Sequence, residues 1–278
     1  MYPVLNRIIA AYSIRIDVDG NNIYLDKDNL ISAGTEETQI TWMDAKINNV
    51  AVTPRNGKTV ELNALWYNAL KIMARFAEKY DDKTLCKKYL ELAYSTKKSF
   101  VEKFYNKKRK CLYDVLGDSK IRPNQLFALS LTYSIIEEEL QIKKEIIETV
   151  SKKLLNNYGL KTLAKGEKEY IDVYSGDSFK RDMSYHQGIT WPWLLGLYYN
   201  AIKNMIKTAK NKTEKKYYET LKSELIEKAK KTFKKAINED DMVGSISELY
   251  DSKKPQLPKG APAQAWSVAE IYRIMLNK

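Results

Sequence analysis

Asp44 is the residue of this chain best suited by its neighbours to move a proton. It follows Trp42 and Met43 in the run Thr41-Trp42-Met43-Asp44-Ala45-Lys46, with Arg55 a little further on. A carboxyl group beside apolar side chains loses hydration, which raises its pKa and lets it keep a proton at higher pH. An indole offers a flat apolar face, and Lys and Arg offer hydrogen bonds. That combination suits a ligand with apolar ring faces and hydroxyl edges, as sugars have. Taken alone, Asp44 reads more simply as a helix N-cap or a carboxylate that braces its loop.

Similar residue types recur downstream in short runs: Arg122-Pro123-Asn124-Gln125, Gly159-Leu160-Lys161-Thr162-Leu163, Tyr185-His186-Gln187-Gly188 with Trp191-Pro192-Trp193, Ser247-Glu248-Leu249-Tyr250, and Ala263-Gln264-Ala265-Trp266-Ser267. With TWMDAK and Thr53-Pro54-Arg55, these runs stand in the order found in one family. From about residue 30 to its end the chain resembles the C-terminal amylo-α-1,6-glucosidase domain of glycogen debranching enzymes. The resemblance implies an inverting glycosidase acting on α-1,6 branch points of glycogen or branched maltodextrin, with Asp44 as general acid and Glu248 as general base. Asp44 then needs a raised pKa, from desolvation beside Trp42 and Met43, and Glu248 needs to stay ionised. Asp251 competes with Glu248 for the role of base. The remaining candidate sugar contacts are Trp42, Lys46, Arg55, Asn63, Trp66, Arg122, Asn124, Gln125, Asp182, Tyr185, His186, Gln187, Trp191, Trp193, Gln264 and Trp266. Trp66 fits core packing as well as stacking, and Asp182 fits a salt bridge with Arg181 or a helix cap as well as a sugar contact.

No cofactor is expected. His186 is the single histidine, and the two cysteines, Cys86 and Cys111, are far apart, so neither a multi-histidine nor a zinc pattern exists. No GxxxxGK[ST] or GxGxxG run supports nucleotide binding. Forty-seven basic residues against thirty-five acidic give a formal charge of +12. The lysines are dispersed among glutamates at intrahelical spacings, the pattern of solvated helix faces rather than of a nucleic-acid or membrane surface. The absence of a long apolar run and of a disulfide framework predicts a cytoplasmic protein.

Apolar positions at the helical period predict helices over about 60–80, 84–104, 123–138, 141–156, 184–207, 213–237 and from Pro262 onward, with a weaker one at 3–12. Thr59 is the expected N-cap of the helix over 60–80, and Glu61 suits its dipole. A short hairpin is expected at about 14–31, from the Ile14/Ile16/Val18 alternation and Asp19-Gly20-Asn21. Short joints alternate with long connections at about 105–121, 157–183 and 238–262, which carry most of the motifs. Few Pro and Gly interrupt the chain, so residues 1–278 are read as one domain. Periodicity alone does not separate a helical toroid from a bundle. The resemblance implies an all-α (α/α)6 toroid, of whose twelve helices about eight are visible. A toroid short of its first helices leaves apolar inner faces to be covered by a second copy or a partner subunit, and a non-catalytic glucan-binding or scaffolding subunit is the alternative function.

Overall fold

A computed structural model describes residues 1–14, 20–239 and 244–277. Helix α1 (Tyr2–Ser13) leads to a two-stranded hairpin of β1 (Tyr24–Leu25) and β2 (Ile31–Ser32). Of the hairpin expected at about 14–31, the alternation at Ile16, Val18 and Asp19 falls outside the described residues. A second hairpin, β3 (Lys46–Ile47) and β4 (Val50–Ala51), turns through Asn48 and Asn49 at positive φ and follows Asp44 directly.

Two helical hairpins make the frame. In the first, α2 (Val60–Lys79) packs on α3 (Lys83–Phe104). Val60, Ala64, Tyr67, Leu70, Ala74 and Ala77 are buried at the three-and-four spacing that gives a helix one apolar face. Asp82 caps α3 by accepting the Leu85 N–H at 3.0 Å. Thr59 does precede α2, but its hydroxyl makes no cap bond and is buried without a partner. In the second hairpin, α7 (Leu194–Thr208) packs on α8 (Lys212–Glu239). α7 buries Leu194, Leu195, Tyr198, Tyr199, Ala201, Ile202 and Met205, more than one face of the helix, whereas α8 buries a single stripe from Tyr218 to Ala236. The first helix of each pair is thus inner and the second outer, as an α/α toroid requires.

Two predicted helices are cut short. Pro123–Leu126 is one 3-10 turn leading into α4 (Phe127–Ser130), and the chain is irregular from Leu131 to Glu139. Tertiary partners take the bonds that would have continued the helix: Asn204 Nδ2 donates to the Leu129 carbonyl at 2.6 Å, and Asn68 Oδ1 accepts the Tyr133 N–H at 3.0 Å. The helix α5 (Leu140–Lys153) follows as expected. The stretch expected as one helix over 184–207 instead contains the end of α6 (Ser178–Tyr185), an extended strand, and only then α7.

That strand, β8 (Thr190–Trp191), lies in a four-stranded antiparallel sheet with β7 (Leu160–Lys161), β9 (Leu249–Tyr250) and β10 (Pro258–Lys259), in the order β10-β9-β8-β7. Leu160 is paired with Trp191, Thr190 with Tyr250, and Tyr250 with Pro258. Gly188 makes the bend into β8 possible. Its φ is +136°, and a Cβ there would sit 2.4 Å from the Ile171 carbonyl oxygen. The GLKTL, TWPW and SELY runs, scattered in sequence, meet in this sheet. A last hairpin, β5 (Tyr105–Asn106) with β6 (Cys111–Leu112), precedes the sheet, and α9 (Ala265–Met275) packs against α7 and α8 at the end of the described chain. Among the described residues no helix is long and apolar enough to cross a membrane.

Candidate active site

Asp44 projects from between two buried anchors, Met43 and Ala45. The Ala45 carbonyl accepts the Val52 N–H at 3.0 Å, which fixes the start of the β3–β4 hairpin. The Met43 sulfur lies 3.5 Å from Asn124 Nδ2, and Trp42 Nε1 donates to Asn124 Oδ1 at 2.8 Å, so one buried amide clamps both residues ahead of the acid. The Asp44 carboxyl keeps an open side to solvent. Its pKa is nonetheless raised, first by partial desolvation and then by the charge of Glu248.

Glu248 stands just before β9 and is 8 % exposed. The Tyr185 hydroxyl donates to its Oε1, and the Ala261 N–H donates to its Oε2 at 2.8 Å. Its own N–H donates to the Ala261 carbonyl at 2.9 Å, and the Ser267 hydroxyl donates to its carbonyl at 3.3 Å. Gly260 leaves room for this: its φ is +71°, and a Cβ would lie 2.4 Å from Glu248 Oε2. Asp251 is also buried, but it accepts the Tyr174 N–H at 2.7 Å and has Lys259 Nζ at 4.0 Å. Burial raises its pKa, and the neighbouring acid that adds to this is Asp172. The carboxylate whose charge reaches Asp44 is Glu248.

Four of the five tryptophans gather beside these acids. The Trp42 ring meets Trp191 edge-on at 5.5 Å and Trp193 at 4.9 Å, and Trp193 stacks on Trp266 at 4.9 Å and 15°. Trp191 and Trp193 are buried, whereas Trp266 is 37 % exposed at the rim. Tyr185 packs edge-on against Trp191 at 4.9 Å. His186 is fully buried, lies nearly parallel to Trp191 at 5.4 Å, and has no hydrogen-bond partner on either ring nitrogen. Burial, with Arg122 and Arg55 nearby, pushes its pKa well down, so the ring is neutral. It fills space behind Trp42 rather than reaching solvent.

Behind this wall lies a buried polar layer. Arg55 pairs with both Asp114 and Glu61, and Arg122 Nε is 3.7 Å from Asp114 Oδ2. Arg122 also donates to the carbonyls of Thr162 at 3.1 Å and His186 at 2.6 Å, and to Gln187 Oε1 at 2.7 Å. Gln187 Nε2 in turn donates to the Val52 carbonyl at 3.0 Å, tying the segment ahead of β8 to the β3–β4 hairpin. Asn124 Nδ2 reaches Asp114 Oδ1 at 2.9 Å, and Gln125 Nε2 donates to the Arg122 carbonyl at 2.9 Å. Two buried cations thus face two buried anions, the condition under which internal charge is tolerated.

The other candidates contact protein groups. Asn63 clamps Ile31 through both its N–H and its carbonyl, at 2.7 and 3.0 Å. Trp66 packs against Tyr12 at 5.8 Å and lines a separate apolar cleft of 340 Å³. Lys46 Nζ donates to the Glu37 carbonyl at 2.7 Å. Asp182 lies inside α6, whose cap is Asp177, and its charge reaches Tyr174. Gln264 is the N-cap of α9. Sequence reasoning missed Asp114 and Tyr174, which stand in no recognisable motif, and gave Glu61 a helix-dipole role, although its burial and its pairing with Arg55 make it part of the site's foundation.

The helical frame is that of an (α/α)6 barrel. Neutral trehalase from Saccharomyces cerevisiae superimposes with a TM-score of 0.54 at 15% identity, over 80% of this chain and 38% of that one. A GH63 mannosylglycerate hydrolase from Thermus thermophilus gives 0.51 at 11%, over 80% and 46%. A structure described as a sialidase gives 0.60 at 13%, over 96% and 22%. The sequence pattern of the amylo-alpha-1,6-glucosidase family matches residues 1–273, and the chain belongs to that family of glycoside hydrolases. It is 26% identical to the glycogen debranching enzyme of Saccharomyces cerevisiae over 96% of its own length, and spans 20% of that protein.

Proposed function

We propose that this chain hydrolyses α-1,6-linked glucose at branch points of glycogen or branched maltodextrin, with inversion, using Asp44 as general acid and Glu248 as general base. The observation that carries the reading is the pairing of these two carboxyl groups. Distant in sequence, both stand at one tryptophan cluster: Asp44 follows Trp42, whose ring meets Trp191, and Glu248 accepts from Tyr185, which packs on Trp191, while the Glu248 charge adds to the raised pKa of Asp44. Family membership supports the bond cleaved, and the debranching relative supports the glucan.

In this mechanism the neutral Asp44 carboxyl gives its proton to the glycosidic oxygen as the C1–O bond breaks. Glu248 accepts a proton from a water molecule whose oxygen bonds to C1 from the opposite face. An α-linked glucose therefore leaves as β-glucose, and Asp44 is left ionised and Glu248 protonated until protons exchange with solvent. Inverting enzymes hold the two carboxyl groups about 6.5–9.5 Å apart to admit the water. Each proton transfer is worth roughly 10²–10⁴-fold in rate. The test is glucose release from a maltodextrin bearing a single α-1,6 glucosyl stub: Asp44→Asn and Glu248→Gln should each cost at least about 10²-fold in kcat. Variants that keep the wild-type rate would sink the assignment.

A further inference from the structure

We propose that Tyr185 is a positioning residue for Glu248: its hydroxyl, with the Ala261 N–H, holds the carboxylate in the orientation that activates water. The inference rests on the reading of Glu248 as base and goes beyond it, because it gives Tyr185 a role on the protein rather than on the sugar.

The geometry is that of a two-point cradle. One Glu248 oxygen takes the Tyr185 hydroxyl and the other takes the Ala261 N–H, so both carboxylate oxygens are engaged by donors from different elements. Gly260 closes the cradle from below, since any side chain there would meet Oε2. Tyr185 has little freedom to do anything else. It is the last residue of α6, its ring lies against Trp191 at 4.9 Å and His186 at 4.7 Å, and its carbonyl accepts the Trp191 indole N–H at 3.1 Å. Burial and the carboxylates push its own ionisation up, so it remains a donor throughout the working range. The titratable groups facing Glu248 are Tyr185 from α6, Tyr174 from the preceding connection and Asp44 from the acid loop, while Asp251 and Lys259 interact with each other further along the sheet. Removing the Tyr185 hydroxyl takes this donor from Oε1 and lets the side chain wander.

The test compares wild type, Tyr185→Phe, Gly260→Ala and Glu248→Gln as full chains, by kinetics on the branched glucoside and by thermal unfolding. For Tyr185→Phe we expect kcat to fall about 10–100-fold and KM to stay within about two-fold, with thermal unfolding little changed. Gly260→Ala, which displaces Oε2, should reproduce the fall in kcat. A Tyr185→Phe variant that keeps the wild-type kcat while Glu248→Gln loses it overturns the proposal, as does a rise in KM with kcat intact, which would make Tyr185 a sugar contact. A Glu248→Gln variant that keeps the wild-type rate would instead sink the base assignment on which the proposal rests.

Discussion

Asp44 and Glu248 carry the same functional group in different surroundings, and the surroundings set opposite requirements. Desolvation and the Glu248 charge raise the Asp44 pKa, so the protonated acid persists to higher pH than an ordinary aspartic acid. Activity should then be lost on the alkaline side as pH rises through that raised value. Glu248→Gln removes one of the two causes, so ¹³C titration of Asp44 in that variant should show a lower pKa than in wild type; an unchanged value would mean the two groups do not interact. The choice of base is separable from Asp251 by chemical rescue. With Glu248→Ala a small anion such as azide should restore cleavage of an activated glucoside and yield the β-azide, whereas Asp251→Ala should show no such rescue. Rescue of Asp251→Ala alone would reverse the assignment. At this scale the sequence singled out Asp44, Glu248 and the tryptophans because they stand in short runs whose order resembles that of one family. It was silent about Asp114 and Tyr174, whose importance comes from partners 59 and 77 residues away.

The elements supply what residues alone cannot. The helical hairpins α2–α3 and α7–α8 were legible because their apolar spacing is long and regular. The strand β8 was not, since Trp191, Leu194, Leu195 and Tyr198 continue a helix-like spacing and hide the break. Gly188, Pro192 and the pairing of Thr190 with Tyr250 override it, and the last of these is invisible in one sequence. Gly188→Ala should therefore destabilise by about 1–3 kcal/mol through backbone strain alone, read as a lower urea midpoint; an unchanged midpoint would refute the need for glycine. The buried layer makes a stronger demand. Asp114→Asn leaves Arg55 and Arg122 with less compensation in a fully buried site, and breaking such a set typically costs about 3–5 kcal/mol. Denaturant melts should show that loss, and a near-neutral effect would mean the network is not what holds Trp42 and Met43 in place.

For the whole molecule, the +12 charge is the feature most open to misreading. Exposed intrahelical ion pairs run along α3, α5 and α8, such as Lys87 with Glu91, Lys152 with Glu148 and Lys235 with Glu239. Those are solvated helix faces, and the proposed substrate is neutral. Raising ionic strength from about 0.05 to 0.5 M should therefore change kcat/KM by less than about two-fold, because screening acts on charged partners; a steep salt dependence would point to an anionic partner instead. The toroidal frame brings the loop of Asp44, from the first third of the chain, to that of Glu248 in its last, and the proposed inversion depends on that meeting. The most direct measurement is ¹H NMR of the first minutes of hydrolysis of a maltodextrin carrying one α-1,6 glucosyl stub. The account predicts β-glucose as the initial product, with the α-anomer growing in only by mutarotation; α-glucose appearing first would contradict it.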